Sequence, residues 1–271
     1  MGAARLPTAQ FADSRPRMPD WSPARYLRFE DERTRAARDL LARVPLETAA
    51  RAADVGCGPG NSTELLVERF PDADIVGLDN SPAMLDEARR RLPGVRFEAA
   101  DAETWIPETV VDLVFANATY QWVPGHLQQL PRVLAALRPG AVLAVQMPDN
   151  LAEPTHRLMS ETAAALGWGE RLAGAAREPL APAGAYYDAL EPHAETVDVW
   201  RTAYHHVLAD AGAIVDFVRS TGLRPFLDPL AEPERDAFLA DYTARIDAAY
   251  PARADGRRLL AYPRLFVVAT R

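Results

Sequence analysis

Hydrophobic residues in the first half of the chain form short apolar runs that alternate with segments of helical periodicity. The runs predict strands at 51–55, 73–78, 95–99, 111–116 and 141–147. The intervening segments predict helices at 32–44, 62–70, 82–92 and 127–137. Because each predicted strand is almost wholly apolar, the sheet should be parallel and covered by helices on both faces. Right-handed crossovers then favour a doubly wound α/β fold.

The pattern changes after Pro148, where helical segments dominate. Helices are predicted at 154–166, 210–220 and 232–250, and further strands at 196–202 and 264–270. We expect these two strands to complete a mostly parallel sheet of seven strands. The helices should form a lid over the carboxyl edge of that sheet, which makes this half of the chain the expected site of substrate specificity.

Three regions are predicted along the chain. Residues 1–19 are rich in proline, alanine and arginine and lack periodicity, so they should form a flexible tail, in which Met18 is an alternative start to Met1. Residues 20–150 should form the α/β core. Residues 151–271 should form the helical lid together with the last strands of the sheet.

Composition narrows the classes of protein that fit this pattern. The chain has 271 residues, of which 48% are hydrophobic, and this is enough for a folded core. A net charge of −8 argues against nucleic-acid binding, which usually needs a basic surface. The single cysteine, Cys57, rules out an intramolecular disulfide.

Targeting segments are not evident in the sequence. No apolar run approaches the roughly 20 residues that cross a bilayer, and the N-terminus lacks the apolar stretch of a secretory signal. A cytoplasmic protein is therefore expected, while the sequence leaves its oligomeric state open.

The first candidate site is a glycine-rich loop between a predicted strand and a predicted helix. It reads DVGCGPGN over 54–61 and contains Gly56, Gly58 and Gly60. Glycines let the backbone turn sharply and approach a ligand closely. The spacing is GxGxG rather than the GxGxxG of dinucleotide sites, and Pro59 lacks an N–H that could bind pyrophosphate. The loop therefore predicts a ligand that is not held by phosphates.

Asp79 ends the second predicted strand, 19 residues beyond Gly60. In doubly wound folds a carboxylate at this place binds ribose hydroxyls, so Asp79, with the adjoining Asn80, predicts a ligand that contains a nucleoside. The alternative is that Asp79 caps the helix that opens at Pro82. Ser81 is better placed for capping, which favours the ribose interpretation.

Two further strand ends carry polar or aromatic residues. Asp101 and Ala102 follow the third strand, where a carboxylate and a backbone N–H can bind a nucleobase; the alternative is a solvent-facing loop. Asn117 and Trp122 follow the fourth strand, and Trp122 could instead belong to the core. Ligands of open α/β sheets bind at the carboxyl ends of the strands, so these features together predict one site.

These strand-end features, in this order, resemble those of class I S-adenosylmethionine-dependent methyltransferases, whose fold is Rossmann-like. The resemblance implies S-adenosylmethionine as cofactor and S-adenosyl-L-homocysteine as product. It implies cofactor contacts from Asp54, Gly56, Gly58, Gly60, Asn61, Asp79, Asn80, Asp101, Ala102, Asn117 and Trp122. Of these, Asn117 and Trp122 would face the methionine part and the methyl group.

Motifs from both halves of the chain make the resemblance more specific. They are DWSPARY at 20–26, FANA at 115–118, AVQMPDN at 144–150, AYYD at 185–188, VWRT at 199–202, TGLRP at 221–225 and YPRLFV at 262–267. From Trp21 to the C-terminus, the sequence resembles the trans-aconitate 2-methyltransferase family. The resemblance implies esterification of one carboxylate of trans-aconitate. It also implies that Trp21 and Tyr26 belong to an N-terminal cover over the cofactor.

A carboxylate acceptor limits the chemistry that the protein must supply. Carboxylates titrate at about pH 4 and are ionised at neutral pH, so no general base is required and none is assigned. Trp122, Asn117 and His126 are expected to position the reactants. No metal site is expected, because His205 and His206 have neither a cysteine nor an acidic residue at helical spacing beside them.

A tricarboxylate needs cationic and hydroxyl partners in a shielded pocket, and arginine can bind a carboxylate through two hydrogen bonds. Candidates for substrate binding are Arg177, Tyr186, Tyr187, Arg201, Tyr204, His205, Arg224 and Arg264. Arg224 and Arg264 rank first because each adjoins a proline in a family motif. The alternative for each arginine is a solvated or structural charge, and for the paired tyrosines it is the core of a helix.

Other functions are compatible with parts of this pattern. A methyltransferase that acts on a hydroxyl or carbon of another small molecule would need a general base. A regulatory protein that binds S-adenosylmethionine without turnover would not need the arginines of the lid. An NAD dehydrogenase is disfavoured by the glycine spacing and by Pro59. A small polycarboxylate is thus the expected partner, with neither nucleic acid nor membrane.

Overall fold

The computed structural model describes residues 30–219 and 221–271. Its helices are α1 Glu30–Ala42, α2 Asn61–Arg69, α3 Pro82–Arg91, α4 His126–Ala136, α5 Pro154–Ala165, α6 Ala183–Leu190, α7 Ala211–Arg219, α8 Arg224–Leu227 and α9 Glu232–Ala249. Its strands are β1 Arg51–Val55, β2 Asp74–Asp79, β3 Arg96–Ala99, β4 Leu113–Asn117, β5 Val142–Pro148, β6 Thr196–Leu208 and β7 Arg258–Thr270. Short 3-10 helices occupy Tyr120–Trp122 and Glu191–His193. Over these ranges, no helix is both long and apolar enough to cross a membrane.

The seven strands form one sheet in the order β3-β2-β1-β4-β5-β7-β6. Strands β1 to β5 pair in parallel, and β7 is antiparallel to both of its neighbours, β5 and β6. The order reverses between β1 and β4, and the carboxyl ends of strands at such a reversal are where ligands bind. The predicted doubly wound, mostly parallel sheet is confirmed.

Burial on both faces explains why the central parallel strands β1, β4 and β5 are largely apolar in sequence. All seven residues of β5 are buried. One apolar cluster packs α1 and α2 on one face of the sheet and includes Leu40, Leu66 and Phe115. A second cluster packs α4 and α6 on the other face and includes Leu130 and Tyr186.

Strands β6 and β7 are longer than the sequence predicts. Each spans 13 residues, and they pair along their whole length. Because β5 ends at Pro148, opposite Arg264, residues 203–208 and 258–263 continue beyond it as a two-stranded extension, called here the outer ribbon. The predicted strands at 196–202 and 264–270 are too short because alternating burial continues through a stretch that contains polar residues.

A second apolar core, called here the outer core, lies against the outer ribbon. In it, α5, α7, α8 and α9 surround Met159, Phe217, Phe238 and Tyr262. The longer helices predicted after Pro148 are present and pack together there. Helix α6, which periodicity does not predict, packs on the sheet with α4 instead.

Candidate functional site

The glycine loop joins β1 to α2 through left-handed backbone conformations. Gly56, Gly58 and Gly60 have φ of +71°, +54° and +92°. A Cβ on Gly56 would lie 2.1 Å from Oγ1 of Thr119, so packing leaves no room for a side chain. A Cβ on Gly58 would meet nothing within 4 Å. Packing therefore requires a glycine at 56, whereas Gly58 borders open space through which a ligand can approach the backbone.

Asp54 is wholly buried near the end of β1, two residues before Gly56. The hydroxyls of Ser62 and Thr63, at the start of α2, donate to its Oδ2 at 2.7 Å each. Its Oδ1 has no hydrogen-bond partner among the described residues. Burial raises the pKa of Asp54 to about 6, although the two hydroxyls oppose the shift. The carboxylate thus keeps one unused acceptor next to the loop.

Asp79 ends β2 and holds the loop against that strand. Its carboxylate accepts from the amide of Gly58 at 2.9 Å and from the amide of Ser81 at 2.8 Å. Ser81 caps α3, because its Oγ accepts from the amide of Met84. A carboxylate oxygen can accept more than one hydrogen bond, so the ribose role of Asp79 stays a prediction that the geometry permits. Asn80 is exposed beside it.

Other predicted cofactor residues lie after β3 and at the start of α2. Asp101 is exposed, and its carboxylate accepts from a backbone amide within its own turn. Ala102 is half-buried in the same turn, and Asn61 is buried as the first residue of α2. Trp21 and Tyr26 lie outside the described residues. The cofactor roles of all five stay predictions.

The end of β4 carries unused polar groups and a strained residue. Asn117 lies opposite Gln146 of β5. Oδ1 of Asn117 and Nε2 of Gln146 are buried and have no partner in the described part of the chain. Ala118 follows with φ of 57°, a left-handed conformation that is strained for alanine. The chain then turns through the short helix that ends at the half-buried Trp122. Unused buried polar atoms and local strain are typical of functional sites.

His126, at the start of α4, packs against Tyr186 of α6. Their rings are stacked with centroids 5.7 Å apart, and Nε2 of His126 lies 2.7 Å from the hydroxyl oxygen of Tyr186. Burial and the nearby charge of Arg177 lower the pKa of His126, while burial raises the pKa of Tyr186 to about 12. Both rings are therefore uncharged at neutral pH.

Arg177 comes from the loop between α5 and α6, and its guanidinium reaches the end of β5. Nη2 donates to the carbonyl of Pro148 at 2.7 Å and to Oδ1 of Asn150 at 2.8 Å. Nη1 is buried and has no partner among the residues described. Burial lowers the pKa of Arg177, and nearby Asp149 opposes that shift while forming its own ion pair, at 2.8 Å, with Arg201.

Arg264 is buried in β7 beside the same strand end. Its Nη1 donates to Oε1 of Gln146 at 2.9 Å, and its guanidinium lies 5.0 Å from the ring centre of Tyr262. Because Gln146 lies opposite Asn117, this contact connects β7 to the end of β4.

The remaining predicted substrate residues are placed differently. The hydroxyl of Tyr204 donates to an aspartate of α1 at 2.6 Å. Arg224 lies in α8 of the outer core, 3.7 Å from an aspartate at the end of that helix. Tyr187 and His205 are exposed. None of these contacts connects them to the group around Arg177, and their substrate roles stay predictions.

Comparison with known proteins agrees with this architecture. The family model described as a methyltransferase domain matches residues 52–140. A trans-aconitate 2-methyltransferase from Methylobacterium radiotolerans is 63% identical over 257 residues, which are 93% of this chain and 98% of the relative. Another from Variovorax paradoxus is 59% identical over 255 residues, with the same coverage of 93% and 98%. The chain belongs to the trans-aconitate 2-methyltransferase family.

Solved structures with low sequence identity share the fold. Phosphoethanolamine N-methyltransferase 2 of Haemonchus contortus, in complex with phosphomonomethylethanolamine and S-adenosylhomocysteine, has a TM-score of 0.53 at 16% identity, over 87% of this chain and 52% of its own. The YcgJ protein of Bacillus subtilis has a TM-score of 0.56 at 10% identity, over 88% and 98%. This member of the trans-aconitate 2-methyltransferase family therefore has a fold found in proteins of very different sequence.

The structure adds residues to the site of this family member that sequence reasoning does not identify. Gln146 and Asn150 are fully buried, and their amide nitrogens have no partner among the described residues. His156 of α5 lies with Nδ1 3.1 Å from Oγ1 of Thr155, and burial together with the charge of Arg177 lowers its pKa to about 3. For the two amides, the available signal is the family motif at 144–150; the sequence carries no signal for His156. Within the described ranges, no group of three or more histidine, cysteine or acidic side chains could hold a metal.

The unused polar groups differ in kind along neighbouring strands. At β1 and β4 they are acceptors, the carboxylate of Asp54 and the carbonyl oxygen of Asn117. At β5 they are donors, the amide nitrogens of Gln146 and Asn150 and the guanidinium of Arg177. In this member of the family, one end of the site therefore suits a cationic group and the other an anionic one.

Proposed function

We propose that this chain transfers a methyl group from S-adenosylmethionine to a carboxylate oxygen of trans-aconitate. The observation that carries the proposal is the change from unused acceptors at β1 and β4 to unused donors at β5. The acceptors suit the ammonium and sulfonium groups of the cofactor, and the donors suit a polycarboxylate. Relatives at 63% and 59% identity whose name states this activity support the proposal.

The residues at the first strand ends fit S-adenosylmethionine. Gly58 leaves space beside the loop, Asp54 and Asn117 have unused oxygens, and Asp79 can accept further hydrogen bonds. When bound, the cofactor supplies a methyl group on a positively charged sulfur. We propose that residues 20–150 form this half of the site and residues 151–271 the acceptor half, in a cytoplasmic enzyme.

The side chains around the acceptor position it rather than activate it. A carboxylate acceptor is ionised at neutral pH, because carboxylates titrate at about pH 4. His126 is neutral and Tyr186 keeps its proton, so both act as hydrogen-bonding groups at the edge of the site. Holding the reactants in line can supply roughly 7–11 kcal/mol of the barrier.

The direct test is to incubate the protein with S-adenosylmethionine and trans-aconitate and to analyse the product by mass spectrometry. We expect a monomethyl ester and an equal amount of S-adenosylhomocysteine. The rate should be flat between about pH 6.5 and 8, because no carboxylate of the acceptor titrates there. Cofactor binding without ester formation from any polycarboxylate would instead indicate a regulatory protein.

A further inference from the structure

Asn150 is fully buried two residues beyond the end of β5, and only the oxygen of its amide has a hydrogen-bond partner among the described residues. Oδ1 accepts a hydrogen bond from Nη2 of Arg177 at 2.8 Å. Because a guanidinium can only donate, this contact fixes which end of the amide carries the oxygen. The other end, Nδ2, is a buried donor without a partner among the described residues.

Arg177 likewise has hydrogen bonds at Nη2 and none at Nη1 among the described residues. Nη2 makes both of its hydrogen bonds, to Pro148 and Asn150, and Nη1 is buried without a partner in the described part of the chain. The neighbouring carboxylate of Asp149 pairs with Arg201 at 2.8 Å instead. The charge of Arg177 is therefore available to an anion that reaches this strand end.

The two unused donors belong to the two groups that the 2.8 Å contact joins. Nη1 and Nη2 share the guanidinium carbon of Arg177, and Oδ1 and Nδ2 share the amide carbon of Asn150, so each unused donor lies two bonds from an atom of that contact. Buried donors without acceptors are rare, because burial deprives each of its hydrogen bond to water. A carboxylate supplies what both groups lack, namely two acceptor oxygens and a negative charge.

The nearby histidines do not compete for this anion. Burial and the charge of Arg177 lower the pKa of both His126 and His156. Both are neutral at pH 7, so neither histidine adds a positive charge beside the guanidinium of Arg177.

We propose that Asn150 and Arg177 together bind one acceptor carboxylate that is not methylated. One of its oxygens accepts from Nδ2 of Asn150 and the other from Nη1 of Arg177. The assignment rests on the proposed function and deepens it by naming the pair that determines specificity. It requires acceptors with at least two carboxylates, because a monocarboxylate can fill either this anchor or the methylation site, but not both.

The substitution Asn150→Asp tests the anchor with little change in shape. It replaces the unused donor by an oxygen, gives Arg177 an ion-pair partner, and places a negative charge where the acceptor carboxylate would bind. Gln128→Glu is the matched control, because it makes the same chemical change at an exposed residue of α4. Binding of trans-aconitate is measured by calorimetry with S-adenosylhomocysteine present, alongside cofactor affinity and the thermal midpoint of each protein.

We expect Asn150→Asp to weaken trans-aconitate binding by about 10- to 100-fold, the range for hydrogen bonds to a charged group. Cofactor affinity should stay within about twofold, and the control should match the wild type. Arg177→Lys, which keeps the charge but loses the two-pronged geometry, should also weaken acceptor binding while leaving the cofactor in place.

Distinct outcomes separate this proposal from the proposed function. If the wild type esterifies trans-aconitate and neither Asn150→Asp nor Arg177→Lys changes acceptor binding, the anchor is overturned and the proposed function stands. Equal losses of acceptor and cofactor binding, or of thermal stability alone, would assign the pair a structural role and also overturn the anchor. A wild-type protein that binds no polycarboxylate would overturn both proposals.

Discussion

Asp54 combines full burial with hydrogen bonds from only two hydroxyls, and this combination carries an energetic cost. Its pKa is raised from 3.8 to about 6. A carboxyl group whose pKa is raised by folding contributes most stability below its unfolded pKa, and the contribution is lost as pH rises through the folded pKa. At neutral pH the ionised side chain should therefore reduce the stability of the fold by roughly 2–3 kcal/mol.

We expect Asp54→Asn to raise the thermal midpoint at pH 7, because the amide oxygen keeps an acceptor for Ser62 and Thr63 without the buried charge. The same change should weaken S-adenosylmethionine binding by about tenfold, if Oδ1 accepts from the cofactor. Thermal unfolding and calorimetry on one preparation measure both effects.

Asp112 provides a control of opposite sign. Its side chain is buried too, but hydrogen bonds from the amide of Arg51 and the side chain of Arg138 outweigh burial and lower its pKa. Asp112→Asn should therefore lower the thermal midpoint. Destabilisation by both substitutions, with cofactor affinity unchanged, would be incompatible with the role given to Asp54.

The sequence predicts that a residue belongs to the site when the residue lies at the end of a predicted strand. Asp54 and Asp79 are of this kind, since each lies at or next to the last residue of a predicted strand and parallel pairing brings such ends to one edge. The contact between Asn150 and Arg177 is not of this kind, although Arg177 is itself a predicted substrate residue, because the two lie 27 positions apart and meet only through the fold of the loop after α5. The pKa of His156 is lowered by burial and by the charge of Arg177, and no local sequence pattern indicates either cause.

At the scale of elements, two glycines of the same loop are needed for different reasons: Gly56 for packing in the fold, and Gly58 for the proposed approach of the cofactor. Gly56→Ala should lower the free energy of unfolding by about 2 kcal/mol or more, because the new methyl group would overlap Thr119 and the left-handed backbone would be strained. Gly58→Ala should cost only about 1 kcal/mol, the left-handed strain alone.

Cofactor binding should be affected by Gly58→Ala more strongly than the stability of the fold is. Gly58→Ala places a methyl group in the open space beside the loop. The loss in the free energy of S-adenosylmethionine binding should therefore exceed the loss of about 1 kcal/mol in the free energy of unfolding. Denaturant unfolding and calorimetry on both variants make the comparison. Unchanged cofactor affinity in Gly58→Ala would mean that the cofactor does not approach the loop there.

The helices and strands differ in how well the sequence predicts their presence and their bounds. Strands β1 to β5 are predicted to within about two residues, because each is short and β1, β4 and β5 are largely buried. The outer ribbon is missed because its strands are half-exposed and include polar residues such as His205 and His206. Helix α6 has eight residues, too few for a clear amphipathic repeat, and tertiary packing on the sheet stabilises it.

Across the whole molecule, buried neutral histidine couples stability to pH. The pKa of His156 is lowered from 6.5 to about 3, so between these values the unfolded chain binds a proton that the folded chain does not. Stability should fall as pH drops below 6.5, by at most about 2 kcal/mol from this residue at pH 5.

Thermal midpoints at pH 7, 6 and 5 measure this coupling. His156→Gln should lose less stability on acidification than the wild type, because glutamine does not titrate. His205→Gln, at an exposed position of β6, should follow the wild type. An equal fall in the thermal midpoint between pH 7 and 5 in all three proteins would show that groups other than His156 determine the loss of stability in acid.

The paired strands β6 and β7 connect the sheet to the outer core through one uninterrupted ladder. A fragment ending at Pro148 would expose β5, whose seven residues are all buried in the fold, as an open edge that invites aggregation. The complementary fragment would hold the outer ribbon without the strand that anchors it. The parts of the chain before and after Pro148 are therefore one folding unit. New acceptor preferences in this family are expected to arise by substitution along the shared strands and the helices packed on them, rather than by exchange of a separable piece of chain.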